Sequence, residues 1–271
     1  MRGCVGFPSY LPIASITSDD GGWSTAYPSS NLLNQLYPSQ IGQGAAAGNR
    51  TVTIGLSSAQ SIQFLALINH NASAAQTPQF EFTLKLAGST VYDSGVQAFG
   101  FPSPALPPTP TTPQIPAYIQ NQPWLLASPV LADTVVIQLY APAWKWSVGA
   151  VEIAAAYLWP DLSYPDMQRG FATTSVRVRQ PGGVDYIMTQ LVARMFSGAR
   201  NAVALSELTT TVVDLQKDTK LSRPFVFVRD IDDQTCWPRE CFLARNSKIE
   251  MPTSTNLAFG KHQIDLVEHY L

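Results

Sequence analysis

A histidine beside a nucleophile, a carboxylate pair or a thiol cluster would be the shortest route from residue types to chemistry. This chain of 271 residues holds three histidines. His70 closes an apolar run in Ile68-Asn69-His70-Asn71, and His262 and His269 fall in the last ten residues. A histidine where a strand gives way to a loop is expected to hydrogen-bond a turn rather than to act on a substrate. Asp230-Ile231-Asp232-Asp233 gathers enough carboxylate oxygen for a calcium ion, yet it lacks the Gly and distal Glu of an EF-hand loop, so a solvated turn is expected. Cys236 and Cys241 have half the spacing of a thiolate metal site, with no second cysteine pair and no histidine close by in sequence. With Cys4 the thiols number three, too few and too odd for a closed disulfide framework. There is no Gly-x-Ser-x-Gly, no phosphate-cradling glycine loop and no His-Glu-x-x-His. No enzymatic activity, cofactor or metal is expected.

What remains is contact chemistry. Trp144 and Trp146 alternate onto one face of an extended segment, with Tyr140 and Tyr157 nearby in sequence. Such a group fits an aromatic platform for a sugar ring, and fits equally well burial in a core or in a subunit contact. Residues 102–123 contain eight prolines, a density that excludes a central strand or helix and predicts an extended loop, partly polyproline II. It is either a surface insertion or an arm lying along a neighbouring subunit. Trp144, Trp146, Tyr140, Pro107, Pro108 and Pro110 are therefore the candidate interface or glycan contacts.

The elements that would position these residues are strands. Thr51-Val52-Thr53-Ile54 alternates, and Ile62-Gln63-Phe64-Leu65-Ala66-Leu67-Ile68 is nearly unbroken apolar sequence. Ser57–Ser61 is expected to be a polar turn that makes the two strands near neighbours. Phe80–Leu86 and Thr90–Gly95 form a hairpin through Ala87-Gly88-Ser89. Further strands are expected at Asp133–Tyr140 and from Trp146 to Trp159, and one more in residues 1–22. Between Tyr27-Pro28 and Tyr37-Pro38 only a helical turn is predicted, with Ser30 or Asn31 as its cap. About seven or eight strands before residue 160 predict an antiparallel β-sandwich or jelly roll over residues 1–160.

Residues 161–170 read as a linker, and residues 171–271 as a second β domain. Strands are expected at Thr174–Arg179 and Asp185–Met195, followed by one amphipathic helix at about 202–220. That helix buries Leu205, Leu208, Val212 and Leu215, starts from Asn201 or Ser206 and stops before Arg223-Pro224. Phe225–Val228 predicts a strand buried on both sides. Cys241–Arg245, Lys248–Met251 and a final strand, with Ile264, Leu266 and Glu268 on one face, complete the domain.

Charged residues make up only 13% of the chain against 45% hydrophobic, and the formal net charge is −2. That balance offers no electrostatic footprint for nucleic acid or an anionic membrane, and it favours a subunit with large contact surfaces. No apolar run is long enough to span a bilayer, and no secretory signal is expected at the N-terminus.

Four stretches together resemble a known family: Tyr27-Pro28-Ser29-Ser30-Asn31-Leu32-Leu33, Thr51–Leu56, Ile62 to Asn71 with its Ala-Leu-Ile-Asn-His-Asn ending, and Val91-Tyr92-Asp93-Ser94-Gly95. Over about residues 20–160 the chain is similar to the discoidin-like, galactose-binding-type β-sandwich found in tail proteins of tailed bacteriophages and gene transfer agents. The strand, helix, strand order of the second half, closing on Ile264-Asp265-Leu266-Val267-Glu268, is similar to a tail-tube-like β domain. The resemblance implies a distal tail or tail-tip (baseplate) subunit made in the host bacterial cytoplasm and located in the virion. It implies a ring of six or three copies joined by heterologous interfaces, with the tail tube protein and the tail hub as partners. The alternative it leaves is a carbohydrate-binding tail module that attaches to a host glycan. In the commoner distal tail proteins the tube-like domain comes first, so the order here is reversed.

Overall fold

The computed structural model describes residues 2–37, 39–72, 77–100, 120–140, 143–159, 168–173, 176–179, 185–188, 192–234, 237–249, 251–254 and 258–269. Pro107, Pro108, Pro110, Cys236 and most of the expected linker lie outside the described residues. The protein is mostly antiparallel β and divides into two units, residues 1–160 with 225–243, and residues 161–224 with 244–270. The segment 225–243, expected to belong wholly to a second domain, thus packs with the first.

Strands of the first unit are β1 (Gly3–Ser9), β2 (Ala14–Asp19), β3 (Gly42–Gln43), β4 (Arg50–His70), β5 (Gln79–Leu86), β6 (Ser89–Asp93), β7 (Gln97–Ala98), β8 (Gln120–Tyr140), β9 (Ser147–Val148) and β10 (Ala150–Trp159). The main sheet runs in the order Phe225–Val228, β1, β10, β4, β8, β5, β6, with β2 added to β4 and β7 to β5. Residues 1–22 therefore supply two strands rather than one.

β4 and β8 are each 21 residues long and pair with one another at both ends. Three offsets interrupt the ladder, a one-residue one at Asn69 and two larger ones. Residues 56–59 of β4 face the single residue Asp133, and residues 126–129 of β8 face the single residue Gln63. Such reciprocal bulges bend both strands, so that one sheet folds back as a sandwich. Val52 and Ile54 from one half and Leu65 and Leu67 from the other share a single core with Phe80, Phe82, Leu84, Val135, Ile137, Leu139, Val151 and Ile153. The expected turn at Ser57–Ser61 is instead an exposed bulge inside a continuous strand. Polar composition there marks a departure from the ladder, but the chain does not reverse.

The unbroken apolar run of β4 has a direct explanation. Its inward residues enter the sandwich core, while Phe64, Ala66 and Ile68 face a second core made with Cys4, Ala150, Ala154, Val226, Val228, Ile231, Trp237, Cys241 and Leu243. The strand Phe225–Val228 is likewise buried throughout, as its pattern predicts. β5 and β6 form the expected hairpin, with Ala87 and Gly88 both at positive φ, the geometry a two-residue turn needs. Pro123 was expected in the proline loop but lies in β8 opposite Ala66. It is tolerated because β5 covers β8 only along residues 134–140, leaving an edge at Pro123. The turn after Tyr27-Pro28 is a 3-10 helix, Ser29–Leu33, without a side-chain cap; the Asn31 amide donates to the Ile41 carbonyl at 3.0 Å instead.

The second unit contains β11 (Gln168–Thr173), a hairpin of β12 (Val176–Arg179) with β13 (Asp185–Met188), β14 (Val192–Ala204), β17 (Thr253–Ser254), β18 (Phe259–Glu268) and the later residues of β16 (Cys241–Lys248), Phe225–Val228 being β15. Their order is β11, β14, β18, β16. β11 begins at Gln168, inside the expected linker, and the expected strand over residues 185–195 contains β13 and the start of β14, residues 189–191 lying outside the described residues.

One helix, α1, spans residues 205–219 and buries Leu208, Val212, Leu215 and Thr219 at helical spacing. It starts three residues later than predicted, because residues 202–204 still belong to β14, and it has no side-chain cap. Its middle turn, Leu208–Val212, is a π-helix. At its end Lys220 takes φ 47°, and the Asn246 amide donates to Thr219 Oγ1 at 2.8 Å and to the Lys220 carbonyl at 2.9 Å. In β18, Ile264, Leu266 and Glu268 are buried on one face as expected. The Glu268 carboxylate accepts from Arg194 Nε at 2.8 Å and from its backbone N–H at 3.0 Å, a fully enclosed ion pair.

Candidate ligand cleft

Trp144 and Trp146 do not form a platform. Both belong to the sandwich core, 9% and 0% exposed, with ring centroids 5.2 Å apart in an edge-to-face arrangement. Of the two readings left by their alternation, core burial is the one the structure gives, and a sugar or subunit cannot reach Trp146. Tyr140 is half-buried, and its hydroxyl donates to Glu81 at 2.5 Å and lies against the Gln138 amide. Burial, followed by the Glu81 carboxylate, pushes this phenol up to about 12.

His70 is enclosed, and its Nδ1 accepts the Ala72 N–H at 3.2 Å, the turn-stabilising role expected of it. Burial lowers its pKa to about 3. The flanking asparagines are also fasteners. The Asn69 N–H donates to Asn121 Oδ1 at 2.9 Å, and Asn71 Oδ1 accepts the Ser147 N–H at 2.9 Å. Burial lowers His262 to about 4 and raises the Cys4 thiol; Cys4 and Cys241 are both buried.

The acidic turn is exposed, as expected, and is engaged by Arg2. Arg2 holds Asp232 through a fork, Nε to Oδ2 at 3.1 Å and Nη2 to Oδ1 at 2.5 Å, while the Arg2 N–H donates to Asp230 Oδ1 at 3.3 Å. The Ile231 N–H donates back to the Arg2 carbonyl at 3.0 Å, which fixes the guanidinium against the turn.

This ion pair stands at the mouth of a cleft of about 290 Å³ within the first unit. One wall is the β8 bulge, with Trp124, Leu125, Leu126 and Ala127; the other is the returning segment with Ile231, Asp232, Gln234 and Trp237. Gln63 joins them as the single residue facing the bulge, its amide donating to the Leu126 carbonyl at 3.5 Å. Trp124 is held edge-on to Phe80, and its indole N–H donates to the Tyr92 hydroxyl at 2.9 Å. Trp237 donates to the Asp230 carbonyl at 3.2 Å, pinning the other wall. Both indole N–H groups are thus occupied by protein. The cleft presents apolar and aromatic surface in about equal measure with polar surface from Arg2, Gln63, Asp232 and Gln234.

Among the described residues singled out in the sequence, Trp144, Trp146 and Tyr140, none lines this cleft. Two signals pointed towards it. Gln63 is the one polar residue in the run Ile62–Ile68, and Asp232 lies in the acidic turn. Arg2, 230 positions away from Asp232, left no local pattern.

No family model and no curated protein sequence matches the chain. Among solved structures, it is similar to a family 32 carbohydrate-binding module from C. perfringens NanJ in complex with galactose, at 8% identity and TM-score 0.40 over 58% of this chain and 100% of that one. It is similar to a Streptococcus pneumoniae fucose-binding module, at 9% identity and TM-score 0.37 over 50% and 87%. It is also similar to a chain in the structure of reduced XRCC1 bound to the DNA pol beta catalytic domain, at 13% identity and TM-score 0.35 over 52% and 94%.

Proposed function

We propose that this chain is a non-catalytic binding subunit whose sandwich holds a carbohydrate in the cleft between the β8 bulge and residues 231–237. The cleft carries the reading. Trp124 and Leu125 offer surface for the C–H face of a pyranose, and Gln63, Gln234 and the Arg2–Asp232 fork supply donors and acceptors at its rim. Glycan-array screening of the whole chain, followed by titration of the best hit, tests it. Trp124→Ala is expected to weaken binding at least tenfold while the far-UV spectrum stays unchanged. An array without any hit, or a Trp124→Ala protein with unaltered affinity, overturns the reading.

The setting proposed for this subunit is the tail tip of a bacteriophage or gene transfer agent, with a ring of copies, the tail tube protein and the hub as partners. Support comes from the sequence resemblance, from two β-built units in one chain and from the 13% charged fraction, which suits a protein largely covered by neighbours. Particle fractionation with an antibody to this chain is expected to place it in purified particles at tail ends. Its absence from them removes the setting without touching the cleft.

A further inference from the structure

Resting on the carbohydrate reading, we infer that Asp232 is the specificity-determining residue of the cleft, and that it makes the site accept uncharged saccharides and turn away those carrying carboxylate, phosphate or sulfate. An arginine at the mouth of an aromatic cleft would ordinarily capture an anion through its planar fork. Here that fork is already taken, since Nε and Nη2 both point at the Asp232 carboxylate. Asp230, in the same turn, accepts the Arg2 N–H, so a second carboxylate stands beside the fork. An incoming anion would have to displace Asp232 and approach that neighbour.

An uncharged sugar meets no such cost. With the fork closed, Arg2 keeps Nη1 and the Asp232 oxygens keep further lone pairs. Donor and acceptor then lie side by side, the arrangement that two adjacent hydroxyl groups match. Both side chains remain open enough to be met, at 42% and 57% exposure. Arg2 and Asp232 therefore serve as one neutral, bidentate contact.

The test is calorimetric titration of the full chain with methyl pyranosides of gluco, galacto and manno configuration, each paired with its uronate. The unaltered protein is expected to bind at least one neutral sugar tenfold or more tighter than the matching uronate. Asp232→Asn frees the Arg2 fork, and the preference is expected to fall to parity or reverse. Arg2→Met is expected to weaken the neutral sugar without any gain for the uronate, which separates loss of the fork from its release. A uronate preference in the unaltered protein, or an Asp232→Asn protein that melts normally with its preference unchanged, overturns this inference alone. Absence of binding to every sugar and on the glycan array overturns the carbohydrate reading together with it.

Discussion

Tryptophans in the first unit meet different fates. Trp144 and Trp146, two residues apart, sit in the sandwich core; Trp124 is half-buried and lines an open cleft, whose other wall includes the edge of the otherwise buried Trp237. Alternation along a strand tells which side chains share a face, but whether that face is wet depends on what the rest of the chain lays over it. The charged residues repeat the contrast. Arg194 and Glu268 are enclosed, with side chains 5% and 2% exposed, whereas Arg2 and Asp232 form a similar fork in the open. Enclosed groups hold the fold together, and open ones of the same type are free to meet a ligand.

That comparison breaks most readily at Trp146. Trp146→Ala is expected to cost about 3–5 kcal/mol, read as a lower urea midpoint, because it empties a fully enclosed site. A midpoint equal to the parent's would mean that the ring is not in the core. Next in size, Glu268→Gln should lower stability by about 3 kcal/mol, since it leaves Arg194 charged and enclosed without its counter-ion. His70 gives a pH-dependent version. Its folded pKa, lowered to about 3 by burial, lies below the ordinary histidine value of 6.5. The native state therefore holds it neutral, and the unfolded chain takes up the proton first on acidification. The stability it contributes is present above pH ~6.5 and is lost as pH falls towards 3, by up to a few kcal/mol. Replacing His70 with Asn should flatten that slope in unfolding experiments from pH 7 to 4. Smallest of all, Arg2→Ala should change stability by less than about 1 kcal/mol, because its pair with Asp232 is solvent-screened. A larger loss would turn the open fork into a structural element.

Local pattern made much of the first unit readable: the alternation of Phe80 to Leu86, the turn at Ala87-Gly88 and the apolar run after Ile62 all lead to the elements found. The run was even richer than it looked, because its two faces serve two cores. Ser57–Ser61 misled, since a bulge and a reversal draw on the same small polar residues. The helix core at Leu208, Val212 and Leu215 was plain from its period, while its start was not, because β14 carries on into the residues that resemble caps. The cleft was legible only in fragments. Its walls come from β8, β4, Arg2 just ahead of the first strand and a segment some hundred residues beyond β8, and no window of sequence contains a contact between Arg2 and Asp232.

The return of residues 225–243 to the first unit has a practical and an evolutionary side. A gene fragment ending at residue 160 would be translated without the cover over Phe64, Ala66 and Ile68, and the naked greasy sheet should precipitate instead of yielding a tidy module. Recombination meets the same obstacle: because the two units are braided along the polypeptide, a single crossover cannot exchange either one whole.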